Sequence, residues 1–383
     1  MTRVPVSRPV LRWALERSGR DPASLRKKLP SLPEWLEGQS QPTLRQLEAF
    51  ARATSTPLGY LFLAQPPDER LPIPHFRTVR DRHPRRPSPD LLDTVQTMQR
   101  RQAWMREHLI DEGNEPLPFV RSATLREEPR SLAEKIRHTL GLEEKWAAQE
   151  ATWTDALRKL RERIEAALIL VVVNGIVGNN THRKLNPEEF RGFVLVDEYA
   201  PLVFVNGTDS KAAQMFTLAH ELAHLWFGSS AAFDLRELQP ADDETERMCN
   251  RTAAEFLVPE QELRESWDAA RRDPNRYQAL ARRFKVSELV AARRLLDLAL
   301  IRTSEFHDFY HAYLQAERKA STKSSGGDFY ASQNLRIGRR FAELVFRAAE
   351  EGKLLYRDAY QLTGLYGRSF EQYAESLQFG GAG

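Results

Sequence analysis

At 383 residues, 28% charged and 41% hydrophobic with a net charge of +3, the chain suits a soluble globular protein of two or three domains. No apolar run approaches the roughly 18 residues that span a membrane, the first residues lack the apolar stretch of a signal peptide, and so small a charge is no argument for nucleic acid. A single cysteine, Cys249, excludes an internal disulfide and fits a reducing cytoplasm, the expected location.

The first 63 residues read as short helices over Arg8 to Ser18, Pro22 to Leu29, Pro33 to Glu37, Thr43 to Thr54 and Pro57 to Leu63. The run Trp35-Leu36-Glu37-Gly38, then Pro42-Thr43 and the periodic Leu44, Leu47, Phe50 and Ala51, resembles the second half of a phage-repressor-type (XRE-like) helix-turn-helix domain. Between Leu25 and Trp35 about four residues are missing relative to that family, roughly one helical turn. Pro30 and Pro33 stand where its recognition helix would run, and prolines three apart do not fit inside a helix. Such domains read base edges with that helix, so sequence-specific DNA binding is not expected here. Arg26, Lys27 and Lys28 either touch phosphate or are simply solvated. A degenerate domain that recognises or mimics a repressor fits at least as well.

A proline-rich, basic joint follows, and Ser88 to Asp111 reads as a helix with Leu92, Val95, Met98, Gln102 and Met105 roughly in phase. Leu168 to Asn174 is a short, almost wholly apolar strand. Phe190 to Asp197 and Pro201 to Asn206 read as a hairpin turning at Glu198-Tyr199-Ala200. An exposed edge of this sheet could hold an extended peptide by strand addition; alternatively, every edge is covered.

The most specific signal is His220-Glu221-Leu222-Ala223-His224 in a chain with only nine histidines. Residues four apart share a helix face, so both imidazoles can reach one metal, and Glu221 can act on a water beside it. Phe216, Leu218, Ala219, Leu222, Ala223, Leu225 and Trp226 mark a buried helix. A catalytic zinc takes three protein ligands and keeps one position open, which calls for a carboxylate from another element. The stretch from Glu244 to Pro259 reads as a second helix, and on it Glu246 is favoured as third ligand, with Glu255 and Glu244 as alternatives. Cys249, one turn from Glu246, is either a small buried residue or a redox sensor.

Together Thr217 to Leu225 (T-L-A-H-E-L-A-H-L), Glu246 to Pro259 (E-R-M-C-N-R-T-A-A-E-F-L-V-P) and the preceding Leu202 to Asn206 strand resemble the ImmA/IrrE family of metallo-endopeptidases. The resemblance covers roughly residues 130 to 300. It implies that His220, His224 and Glu246 bind the metal, zinc with manganese as the alternative, and that Glu221 is the catalytic base. It further implies a helix-turn-helix repressor as substrate, whose cleavage releases stress, defence or mobile-element genes. The oxyanion-stabilising group stays open among Tyr199, His182 and Tyr330.

Beyond the second helix, Leu280 to Leu300 again resembles a helix-turn-helix, which is either scaffolding or a contact to DNA or repressor. His307 and His311 repeat the four-residue spacing, but an aspartate follows the first and aromatic flanks mark a packing helix. Lys319 to Gly327 is a low-complexity link, Arg336 to Glu350 and Tyr356 to Thr363 read as helices, and Phe329-Tyr330 is a candidate plug for a cleft.

The expected fold is mainly α with a small β-sheet (α+β). The expected domains are 1–66 (helix-turn-helix-like), 67–130 (linker and helix), 131–303 (zincin-like peptidase) and 304–383 (helical regulatory or docking tail). The expected function is zinc-dependent endopeptidase action on a repressor, with DNA contacts through the helix-turn-helix-like segments left open. The alternative is a DNA-binding regulator or antitoxin-like protein with a sensory or structural metal site.

Overall fold

The computed structural model describes residues 2–69, 87–228, 232–233, 244–317 and 332–379, which divide into two compact units: 2–69 with 87–96, and 97–379. Both are mainly helical, and the second carries the small sheets.

The first unit opens with α1 (Arg8–Ser18), α2 (Pro22–Lys28), α3 (Leu32–Glu37), α4 (Leu44–Thr54) and a 3-10 turn at Leu58–Phe62. Local chemistry sets the starts. Asp21 accepts from the amides of Ala23 and Ser24, and Thr43 and Gln46 form a reciprocal capping box that opens α4. Val10, Leu11, Leu25, Trp35, Leu47, Phe50 and Leu61 close the core. Leu44 does not join it: as the first residue of α4 it is 48% exposed, and Leu47, Phe50, Ala51 and Thr54 supply the buried stripe instead. The segment after Leu29 holds a helix of only six residues, α3.

Helix α5 (Pro89–Asp111) leads into the second unit, where Gln102 Nε2 donates to the carbonyls of Leu195 and Ala200. After α6 (Pro129–Thr139) and α7 (Trp153–Ala166), the main sheet has the order β1 (Leu170–Asn174), β5 (Leu202–Asn206), β4 (Gly192–Leu195), β6 (Ala232–Phe233). β1 and β5 are parallel; β4 is antiparallel to both of its neighbours. A separate hairpin, β2 (Ile176–Val177) and β3 (Asn180–Lys184), was not foreseen in the sequence.

Strands β1, β4 and β5 are buried on both faces, which explains their nearly continuous apolar runs. Side chains alternate across a strand. Val171, Val173, Val194, Val203 and Val205 share one core with helix residues such as Leu218 and Leu222, while Phe190, Phe193 and Phe204 pack ring against ring. The edge strands of this sheet are β1 and β6. A π-helical turn at Asn334–Gly338 packs on β1, and Gly192 and Phe193 of β4 pair with β6.

The tail helices are α14 (Arg339–Glu350), α15 (Tyr356–Thr363) and α16 (Arg368–Phe379), the last of them unanticipated. Arg101 of α5 holds this tail, donating to the carbonyls of Arg336, Leu362 and Thr363. Lys319 to Gly327 and Phe329-Tyr330, the link and plug of the sequence analysis, lie outside the described residues. Among those described, no helix is long and apolar enough to cross a membrane.

Candidate metal centre

Two helices build the site. The turn after β5 is organised by Asn206, whose side chain donates to the Phe190 carbonyl and accepts from the Thr208 amide. Ser210 then caps α8 (Lys211–Phe227), accepting from the Ala213 amide. Gly228, with φ of 76°, ends α8 in the left-handed conformation that glycine adopts without strain. Every residue from Gln214 to Trp226 is buried. Helix α9 (Glu244–Leu257) starts with glutamates in its first turn, stops short of Pro259 and makes its main packing against α8.

His220 and His224 of α8 and Glu246 of α9 bring one ligand atom each to a common point. The two Nε2 atoms are 3.0 Å apart, and they lie 3.2 Å (His220) and 3.0 Å (His224) from the oxygens of Glu246. Zinc bonds of about 2.0–2.1 Å in a tetrahedron put neighbouring ligand atoms about 3.3 Å apart, so the donors already stand at nearly the spacing a metal demands. The histidines are 0% exposed and Glu246 6%. Asn250 Oδ1 lies 3.1 Å from His220 Nδ1.

The electrostatics suit a cation. Burial lowers the proton affinity of His220, against the raising effect of Glu246, which favours the neutral, ligating imidazole. Burial alone would raise the Glu246 carboxyl, but hydrogen bonds and charge from the two imidazoles outweigh it and hold the group well below the usual carboxylate range. Glu221 behaves oppositely. It is 0% exposed, and both its oxygens are buried with no hydrogen-bond partner among the described residues. Burial, and then the charge of Glu246, push its carboxyl well above the usual range. A buried carboxylate is costly unless something polar meets it, so this unsatisfied group next to the donor cluster fits a site completed by a metal and water.

Strand β4 touches the site through Gly192. A Cβ there would stand 3.5 Å from Glu221 Oε1, 2.5 Å from Thr217 Cγ2 and 2.8 Å from the Phe204 carbonyl oxygen. Helix and strand approach so closely because residue 192 has no side chain.

The other candidates fall elsewhere. Glu255 is at the far end of α9, in a buried ion pair with Arg294 and accepting from the Glu260 amide. Glu244 is exposed in the first turn. Tyr199 sits in the β4–β5 turn with Arg106 over its ring, at the opposite end of β4 from Gly192. His182 is exposed on β3, and Tyr330 lies outside the described residues. His307 and His311 are exposed on α13 (Thr303–Glu317). Cys249 is fully buried.

The contacts that hold the end of α9 were not read from sequence. After α10 (Glu260–Ala270) come α11 (Arg276–Phe284) and α12 (Glu288–Asp297), the helices of the second helix-turn-helix-like segment, with Ser287 capping α12. No residue from Glu288 to Leu296 is exposed. Arg294 also donates to the Val258 carbonyl, and Arg137 of α6 donates to those of Glu255 and Phe256, so α12 and α6 fix the end of α9. The basic residues at these positions were the available signal, but their partners are far away in sequence.

Residues 176–296 match the family model of the IrrE N-terminal-like domain, and residues 337–376 match that of a domain of unknown function (DUF8813). No curated protein matches the chain significantly. The first match contains both histidines, both site glutamates and Asn250. Over those residues the chain is similar to metallopeptidases of the ImmA/IrrE type, and the match marks a peptidase domain.

Proposed function

We propose that this protein is a metal-dependent endopeptidase that cleaves a helix-turn-helix repressor. The observation that carries the catalytic reading is the convergence of His220, His224 and Glu246 beside a buried, otherwise unsatisfied Glu221. Two imidazoles and one carboxylate are a donor set that suits catalytic zinc, with manganese as the alternative. When bound, the metal supplies Lewis acidity, polarising a carbonyl and acidifying water.

The chain's own residues do the rest. Glu221 takes the proton of the attacking water and returns it to the leaving amine. The apolar walls from α8 and the sheet exclude bulk water and strengthen every charge interaction inside. The repressor assignment rests on the resemblance of the motifs to ImmA/IrrE enzymes and on the degenerate repressor-like pattern of the first helices. In this reading the first unit recognises the substrate, and the tightly packed α11–α12 pair is scaffold.

The test uses Glu221→Gln as a trap. The variant should keep its metal, lose turnover and retain a repressor that the wild type cuts, identified by mass spectrometry of the captured complex. A variant that cleaves at the wild-type rate would remove Glu221 from the mechanism. Capture of DNA with no protein partner would favour a DNA-binding regulator instead.

A further inference from the structure

Asn250 follows Glu246 by one helical turn, so both side chains leave the same face of α9. They meet the corresponding pair on α8: Glu246 faces the two Nε2 atoms, and Asn250 Oδ1 lies 3.1 Å from His220 Nδ1. We propose that Asn250 is a positioning residue that accepts the Nδ1–H of His220 and so selects the tautomer whose Nε2 lone pair points into the donor cluster. This rests on the metal-site reading above and deepens it.

A neutral imidazole carries one N–H, and a proton on Nδ1 leaves Nε2 as the acceptor. The opposite amide orientation would donate to Nδ1 and force the proton onto Nε2. That proton would then sit between His224 Nε2 at 3.0 Å and Glu246 Oε2 at 3.2 Å, where the metal belongs. His220 is 0% exposed, so bulk water does not compete for the bond. The neutral amide has a second consequence. Glu221 and Glu246 already place two carboxyl groups in this buried space, and an amide orients the ring without adding another acid.

The experiment titrates the full-length apo protein with Zn2+ against a chromophoric chelator. Loss of such an orienting group lowers metal affinity about 10–100-fold, which is the result expected for Asn250→Leu. Asn250→Asp, which still accepts, should bind at least as tightly as wild type. In apo protein, 15N spectra of the histidine side chains should show His220 protonated at Nδ1 in wild type and lose that preference in Asn250→Leu. If Asn250→Leu fails to fold, Asn250→Ala makes the same comparison, and the wild-type spectrum needs no variant. Leucine binding zinc as well as asparagine, aspartate binding as poorly as leucine, or a wild-type His220 protonated at Nε2 would each overturn the proposal. Should wild type bind zinc no better than His224→Ala, the metal reading itself fails and this inference with it.

Discussion

Replacing Gly192 with alanine tests whether the close approach of β4 to α8 sets the position of Glu221. The added methyl would lie 2.5 Å from Thr217 Cγ2, and ordinary contact begins at 3.4 Å, so strand and helix must part by about 0.9 Å. The Phe204 carbonyl oxygen, at 2.8 Å, is a second contact too close for an added methyl. Overpacking of this kind costs about 1–3 kcal/mol, and for a unit of this size each kcal/mol lowers Tm by about 2–4 °C. Thr217 is one turn before Glu221, so the same displacement reaches the carboxylate. A misplacement of about 1 Å can cost about 100-fold in rate, more than the stability loss alone explains. Thermal melts and peptide-cleavage rates of Gly192→Ala, Thr217→Ser and the double variant form a cycle. Serine lacks the offending methyl, so the cycle should show a favourable coupling of about 0.5–3 kcal/mol. Additive effects, or a Gly192→Ala protein with wild-type Tm and rate, would refute the packing argument.

Two further outcomes follow from buried charges. Arg294→Leu leaves Glu255 without its partner; both side chains are at most 10% exposed, and removing one member of a buried pair costs about 3–5 kcal/mol. Urea unfolding measures this, and a loss below about 1 kcal/mol would mean that the pair does not anchor α9. Glu165 has its carboxyl pushed up to about 7 by burial, against the attraction of Arg161. The unfolded chain ionises near its ordinary 4.5 and the folded chain only near 7, so Glu165 erodes stability as pH rises through that window and by a constant amount above it. Glu165→Gln should therefore stabilise the protein at pH 8 by up to about 3 kcal/mol and leave it unchanged at pH 4. Equal shifts at both pH values would exclude the titration of Glu165 as the cause.

Features carried by local chemistry were legible in the sequence. The His220/His224 spacing puts both rings on one face of α8, Pro259 limits α9, and the hairpin falls where two apolar runs flank Asp197 to Ala200. What depends on distant docking was not legible. Glu246, favoured over Glu255 from the sequence, is the carboxylate that meets the two histidines, but the pairing that occupies Glu255, with Arg294 39 positions away, was not visible there. Likewise, no local pattern reveals that Gly192 meets Thr217.

The complete burial of His220, Glu221 and His224 has a kinetic consequence. In the proposed metal site, imidazoles with no exposed surface would release a bound ion only when the structure opens locally, and such openings are rare in well-packed cores. Metal-loaded and metal-free molecules would then interconvert slowly, like two separate populations. The specific activity of any preparation would record the loading achieved while the chain folded, and a chelator added later would act on the timescale of opening rather than of its own binding.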